Sequence, residues 1–208
     1  MHDLWQLDVE AINRNADAIV ENIGLEALGV YQFLRGRFAQ PRAAADPVFQ
    51  FVFRSFYRLD NAGLTPEFKA AYFEILGRYA AGVTPDVAAI VRELSRYLTL
   101  RGKQTLQFSF ATKLASTVNP EIPIYDSLVA KMYGFVVPSW YEAFEARLAT
   151  LCAFHTFLSQ DYQRILATGV LNRAIEAFEC AYGELASALP PKKKLDFLVW
   201  SAGKPRRS

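Results

Sequence analysis

Residues 108–135 read FSFATKLASTVNPEIPIYDSLVAKMYGF. Up to Val118 the apolar residues recur at helical spacing. Leu106, Phe110 and Leu114 make one apolar face, while Ser109, Ala111, Ala115 and Ser116 keep the neighbouring surface small enough for close packing. Asn119 and Pro120 end that helix, since proline lacks an amide donor and clashes with the preceding turn. Pro120 and Pro123 then hold NPEIPIY extended, so Asp126 arrives at a fixed position before a second apolar run, Leu128, Val129 and Met132. The pattern predicts helix, rigid connector, helix, with one carboxylate at the start of the second helix.

Moving outward, helical periodicity recurs along the chain. Val9, Ile12, Ala16, Ile19 and Ile23 form one stripe; Phe49, Val52, Phe53 and Phe56 another; Phe68, Ala71, Tyr72, Ile75 and Tyr79 a third. Trp140, Phe144, Leu148, Leu151 and Leu158 follow, then Leu171, Ile175, Phe178, Tyr182 and Leu185. Such aromatic stripes read as core. Thr65-Pro66 and Thr84-Pro85 place a capping hydroxyl before a first-turn proline, and Ser139 with Glu142 has the spacing of a capping box. Breaks fall at Gly24, 60–63, Gly82, Gly102, 119–123, 134–138 and Pro190-Pro191. No strand pattern of useful length remains. The expected fold is all-α: a compact unit of about nine or ten helices over 1–201, either one body or two intimately packed lobes, followed by a basic flexible tail over 202–208.

Composition agrees with a packed interior. Of 208 residues 52% are hydrophobic, 14% aromatic and only 21% charged, which excludes a disordered chain. A net charge of +2 is too mild to imply a polyanionic partner by itself, so local clustering decides. Arg92, Arg96, Arg101, Lys103 and Lys113 are opposed only by Glu93 and form the best phosphate-facing stretch, with a solvated helix face as the alternative. The Pro190–Lys194 run reads either as a rigid break followed by a charged first turn or as a phosphate contact. Cys152 and Cys180 lie in helical apolar patterns and read as buried thiols. The opening MHDLWQLD lacks a secretory pattern and no apolar run reaches about 18 residues, so a soluble, cytoplasmic protein with no membrane partner is expected.

Around Asp126 two readings stand side by side. Aspartate is among the best N-cap residues, so capping alone accounts for it; a carboxylate held rigidly is also what acid–base or electrostatic catalysis needs. Upstream, Gly102 permits a tight turn between helices that brings backbone amides near a phosphate, with Arg101 and Lys103 adding charge. Tyr125, Ser127, Trp140 and Tyr141 are candidates to line a pocket beside Asp126, with core packing as the other reading of Tyr125 and the stronger one for Trp140. His2 and His155 lack ligand-spaced partners, and neither a metal nor another cofactor is implied.

The segment IPIYDSLVAKMYG resembles the stretch of helix-hairpin-helix DNA glycosylases, the adenine and oxidised-guanine enzymes in particular, in which a proline and an apolar residue precede the catalytic aspartate and a small residue, then valine, follow it. LRGKQ lies where that family carries the hairpin Leu-Pro-Gly-Val-Gly and matches it at Leu100 and Gly102 only. The likeness spans Leu98 to Tyr133. It implies a DNA-repair hydrolase that excises a damaged or modified base flipped out of a duplex, with Asp126 catalytic, Arg101, Gly102 and Lys103 on the DNA backbone, and Tyr125, Ser127 and Trp140 near the base. Gln107 or Phe108 stands where lyase members of the family carry a lysine, which implies hydrolysis without strand cleavage. Two cysteines cannot supply the four thiolates of the iron–sulfur cluster that some relatives carry. A non-catalytic DNA-binding protein and a helical protein-interaction module are the alternatives.

Overall fold

A computed structural model describes residues 5–79, 81 and 83–205; His2, the break at Gly82 and the tail residues Arg206 and Arg207 lie outside the described residues. Among those described there are eleven α-helices: α1 Val9–Arg14, α2 Ala16–Glu21, α3 Leu25–Phe38, α4 Pro47–Phe56, α5 Pro66–Gly77, α6 Val87–Leu94, α7 Phe108–Val118, α8 Ser127–Met132, α9 Phe144–Thr168, α10 Asn172–Ser187 and α11 Pro191–Ala202. The one β-type pairing described is an isolated antiparallel bridge, Leu64 to Thr99. The all-α expectation therefore holds. Among the described residues no helix is long and apolar enough to cross a membrane.

The chain divides into two compact units, one made of residues 1–28 and 123–208, the other of 29–122. In the 29–122 unit, α4 and α5 bury an aromatic cluster. The Phe53 ring lies 5.7 Å from Phe49, 4.6 Å from Tyr57, 5.7 Å from Tyr72 and 5.6 Å from Phe73. Ring pairs at these separations add about 0.5–1.5 kcal/mol beyond the area they bury. The buried Tyr72 hydroxyl donates to the Phe110 carbonyl at 2.9 Å, tying α5 to α7. Local signals set the helix starts. Thr65 caps α5 by accepting from the Phe68 amide, as its Thr-Pro pair predicts. Asp46 caps α4 through the Val48 amide, and its hydrogen bond from Arg37 holds the carboxyl below its ordinary range.

The unit built from both ends of the sequence packs α2 against α10 and α11, and α8 against α11. Its aromatic core stacks Phe135 on Phe154 at 4.1 Å, with Trp5 edge-on to both. Gly203 closes on α8 so tightly that a Cβ there would sit 2.8 Å from the Leu128 carbonyl oxygen. Lys204, in the stretch read as a tail, lies 3.4 Å over the Trp200 ring and donates to the Asn22 carbonyl at 3.0 Å.

Several sequence expectations are corrected. The stripe from Val9 to Ile23 serves two short helices, because the backbone leaves helical geometry at Asn15, whose side-chain amide folds back onto the Ala11 carbonyl. Helix α6 starts after Asp86, which accepts from the Ala89 amide, and not at Thr84-Pro85. Leu106 lies ahead of α7. Of the capping box only one half forms, the Glu142 carboxylate accepting the Ser139 amide, while the Ser139 hydroxyl accepts from Tyr141, and the pair closes a turn ahead of α9. Trp140 therefore falls outside the α9 stripe and is exposed, where core packing was expected. Cys152 is half-buried and Cys180 exposed.

Candidate functional site

Asp126 sits at the N-cap of α8 in extended backbone geometry, φ −138° and ψ 154°, and its Oδ1 accepts the Leu128 amide at 2.9 Å. The side chain stays partly exposed. Capping is thus real, and it holds Oδ1 of the carboxylate against the Leu128 amide.

Among the described residues the connector in front of it has no strand partner, so its backbone groups must find others. Side chains from α9 and α11 provide them. His155 Nε2 donates to the Pro123 carbonyl at 2.8 Å, which fixes the tautomer, since only a protonated Nε2 can bond a carbonyl. Burial holds the ring below its ordinary pKa. At the other end of the same peptide, the Ile124 amide donates to both Asp196 carboxylate oxygens, at 3.2 and 3.3 Å. Lys193 Nζ bonds Asp196 Oδ2, and both side chains are buried, Lys193 to 1% exposure. Burial pushes the Asp196 carboxyl above its ordinary range, against the pull of the Lys193 ammonium, the Ile124 amide and His155. The Tyr162 hydroxyl, fully buried, lies near the same carboxylate but outside hydrogen-bonding geometry. A second buried carboxylate, Asp161, accepts the Tyr133 hydroxyl at 2.8 Å and Arg164 at 2.7 Å.

Of the residues predicted for a pocket, Tyr125 belongs to the core: its ring packs edge-on to Phe135 and Phe154, and burial, helped by the Asp126 charge, pushes its hydroxyl up to about 12. Ser127, the first residue of α8, is exposed. The Trp140 ring lies tilted against Tyr141 at 4.2 Å, the two residues 68% and 82% exposed, near exposed Val136 and Val137. A cavity of about 310 Å³ in the same unit is lined by other residues, among them Asn15, Asn22, Met132 and Ser201.

The predicted phosphate turn folds as a self-contained loop of the 29–122 unit. Gly102 takes the left-handed φ of 66°. The Thr99 amide donates to the Lys103 carbonyl, the Gly102 amide to the Thr99 carbonyl, the Leu100 amide to the Gly63 carbonyl and the Lys103 amide to Thr99 Oγ1. Those four amides are spent inside the protein. The side chains of Arg101 and Lys103 are exposed and available to an anion. Helix α6 ends at Leu94 and α7 begins at Phe108, so the turn does not join two helices directly. Lys113 leans instead over the Phe110 and Tyr57 rings.

Sequence reasoning missed the charged pair under the connector. Lys192–Lys194 do form the first turn of a helix that opens at Pro191, but all three lysines are buried and so face no phosphate, and Lys194 pairs with Glu179 of α10. The one hint was local: Leu195, Phe197, Leu198 and Val199 surround Asp196 in sequence, but the lysine run ahead of them reads as a polar turn. Among the described residues no cluster of His, Cys, Asp and Glu is placed to hold a metal ion. Compared with family models, curated proteins and solved structures, the chain matches none.

Proposed function

We propose that this chain is a DNA glycosylase-like protein that hydrolyses the N-glycosidic bond of a damaged or modified base, with Asp126 as the catalytic carboxylate. The observation that carries the reading is the placement of Asp126, partly exposed at a helix start, just after a peptide, Pro123–Ile124, whose carbonyl and amide are both bonded by side chains of α9 and α11. In the proposed reaction the base swings out of the duplex and its bond to C1′ breaks with positive charge developing on the sugar. The Asp126 carboxylate stabilises that charge and orients a water whose oxygen bonds C1′, while the departing base takes up a proton. Arg101 and Lys103 contact the phosphate backbone.

The test is release of free base from a panel of duplexes carrying different modified bases. Asp126→Asn keeps the volume and can still cap α8, so folding and DNA affinity should persist while excision falls by about 100-fold or more. Equal excision by wild type and Asp126→Asn would sink the assignment. Lys103→Ala should weaken binding across sequences and flatten its salt dependence. A second reading, a helical protein-interaction module, is favoured by the exposed Val136, Val137, Trp140 and Tyr141. Duplex binding that does not weaken with added salt would support that reading instead.

A further inference from the structure

The Lys193–Asp196 pair lies in the interior, where an ion pair is a poor way to gain stability. Apolar residues of similar volume commonly do as well or better. What an apolar pair cannot do is accept a hydrogen bond. Asp196 spends both oxygens on the Ile124 amide, two residues ahead of Asp126, and His155 bonds the adjacent Pro123 carbonyl from a different helix. Held from α9 at its carbonyl and from α11 at its amide, the Pro123–Ile124 peptide is fixed from two directions. Helix α11 also reaches the other side of Asp126, where Gly203 meets the Leu128 backbone. One helix therefore sets both flanks of the carboxylate.

We propose that Asp196, held by Lys193, is a positioning residue for Asp126: it locks the Ile124 peptide so that the Asp126 carboxylate meets the sugar in a single geometry. The proposal rests on the glycosylase reading of Asp126. Asp196 touches no substrate in this scheme. Its contribution is to the rate of the chemical step, because small misplacements of a reacting group cost large factors in rate.

Two double variants separate anchoring from charge. Lys193→Met with Asp196→Leu removes the pair and the acceptor together. Lys193→Met with Asp196→Asn removes the charge but keeps an amide oxygen for the Ile124 amide. Both should fold, with thermal midpoints within about 5 °C of wild type. Hydrogen exchange at the Ile124 amide should quicken in the leucine version and stay near wild type in the asparagine version. Single-turnover base release should slow by about ten- to a hundredfold in the leucine version, with duplex Kd unchanged, and recover in the asparagine version. Wild-type release by the leucine version, unchanged Ile124 exchange, or an asparagine version as slow as the leucine one would each overturn the proposal. If wild type releases no base from any duplex, the glycosylase reading fails and takes the catalytic part of the proposal with it. The exchange measurement, which needs no activity, then decides on its own whether Asp196 holds the connector.

Discussion

The turn at Thr99–Lys103 and the connector at Pro123–Asp126 are both irregular stretches ahead of a helix, and they satisfy their backbones by opposite means. The turn bonds almost entirely to itself, with one bond to the neighbouring Gly63 carbonyl, and leaves Arg101 and Lys103 exposed. The connector bonds to side chains about 30 and 70 residues away, one of them an aspartate in a buried ion pair. A turn of the first kind is specified locally and tolerates change. A connector of the second kind exists only when distant helices are in place, and it transmits their errors to Asp126.

The hardest way to break this contrast is Asp196→Leu alone, which strands the Lys193 ammonium in the interior; a loss of about 3–5 kcal/mol in urea unfolding is expected. A loss below about 1 kcal/mol would mean that Lys193 reaches another partner cheaply. Next comes Gly203→Ala, whose new methyl would meet backbone that cannot swing aside, for a cost of about 1–3 kcal/mol and a shift of α8 visible in the amide spectrum of Leu128. In the turn, Gly102→Ala should cost about 1–2 kcal/mol through its left-handed φ and leave the connector amides untouched. The smallest effect belongs to Arg101→Ala combined with Lys103→Ala: stability should stay within about 0.5 kcal/mol, measured by thermal unfolding. A larger loss would show that these side chains support the fold.

Much of this was legible from residue order. Apolar spacing announced most of the helices, and Thr65-Pro66 marked a helix start, because capping and periodicity are local properties. Asp126 and its prolines also declared themselves, since a cap and a rigid connector are written in adjacent residues. The support beneath them was not. Lys193 and Asp196 are three apart on a helix, the spacing of an ordinary solvated pair, and only the packing of other helices around α11 takes them out of water. Trp140 misled for the converse reason: its spacing continued the α9 stripe, but the chain turned before the helix began.

The division of the chain also sets an order of assembly. Residues 29–122 make their unit from one continuous stretch, whereas the other unit joins 1–28 to 123–208. Bonds such as Ser201 to the Ile19 carbonyl span 182 residues, a separation that slows closure. On the ribosome the continuous stretch emerges whole and can fold while α1 and α2 still wait for α10 and α11. The connector is synthesised long before Asp196, so Asp126 gains its fixed place among the last events of folding, and a nascent chain stopped before α11 would carry the carboxylate without its anchor.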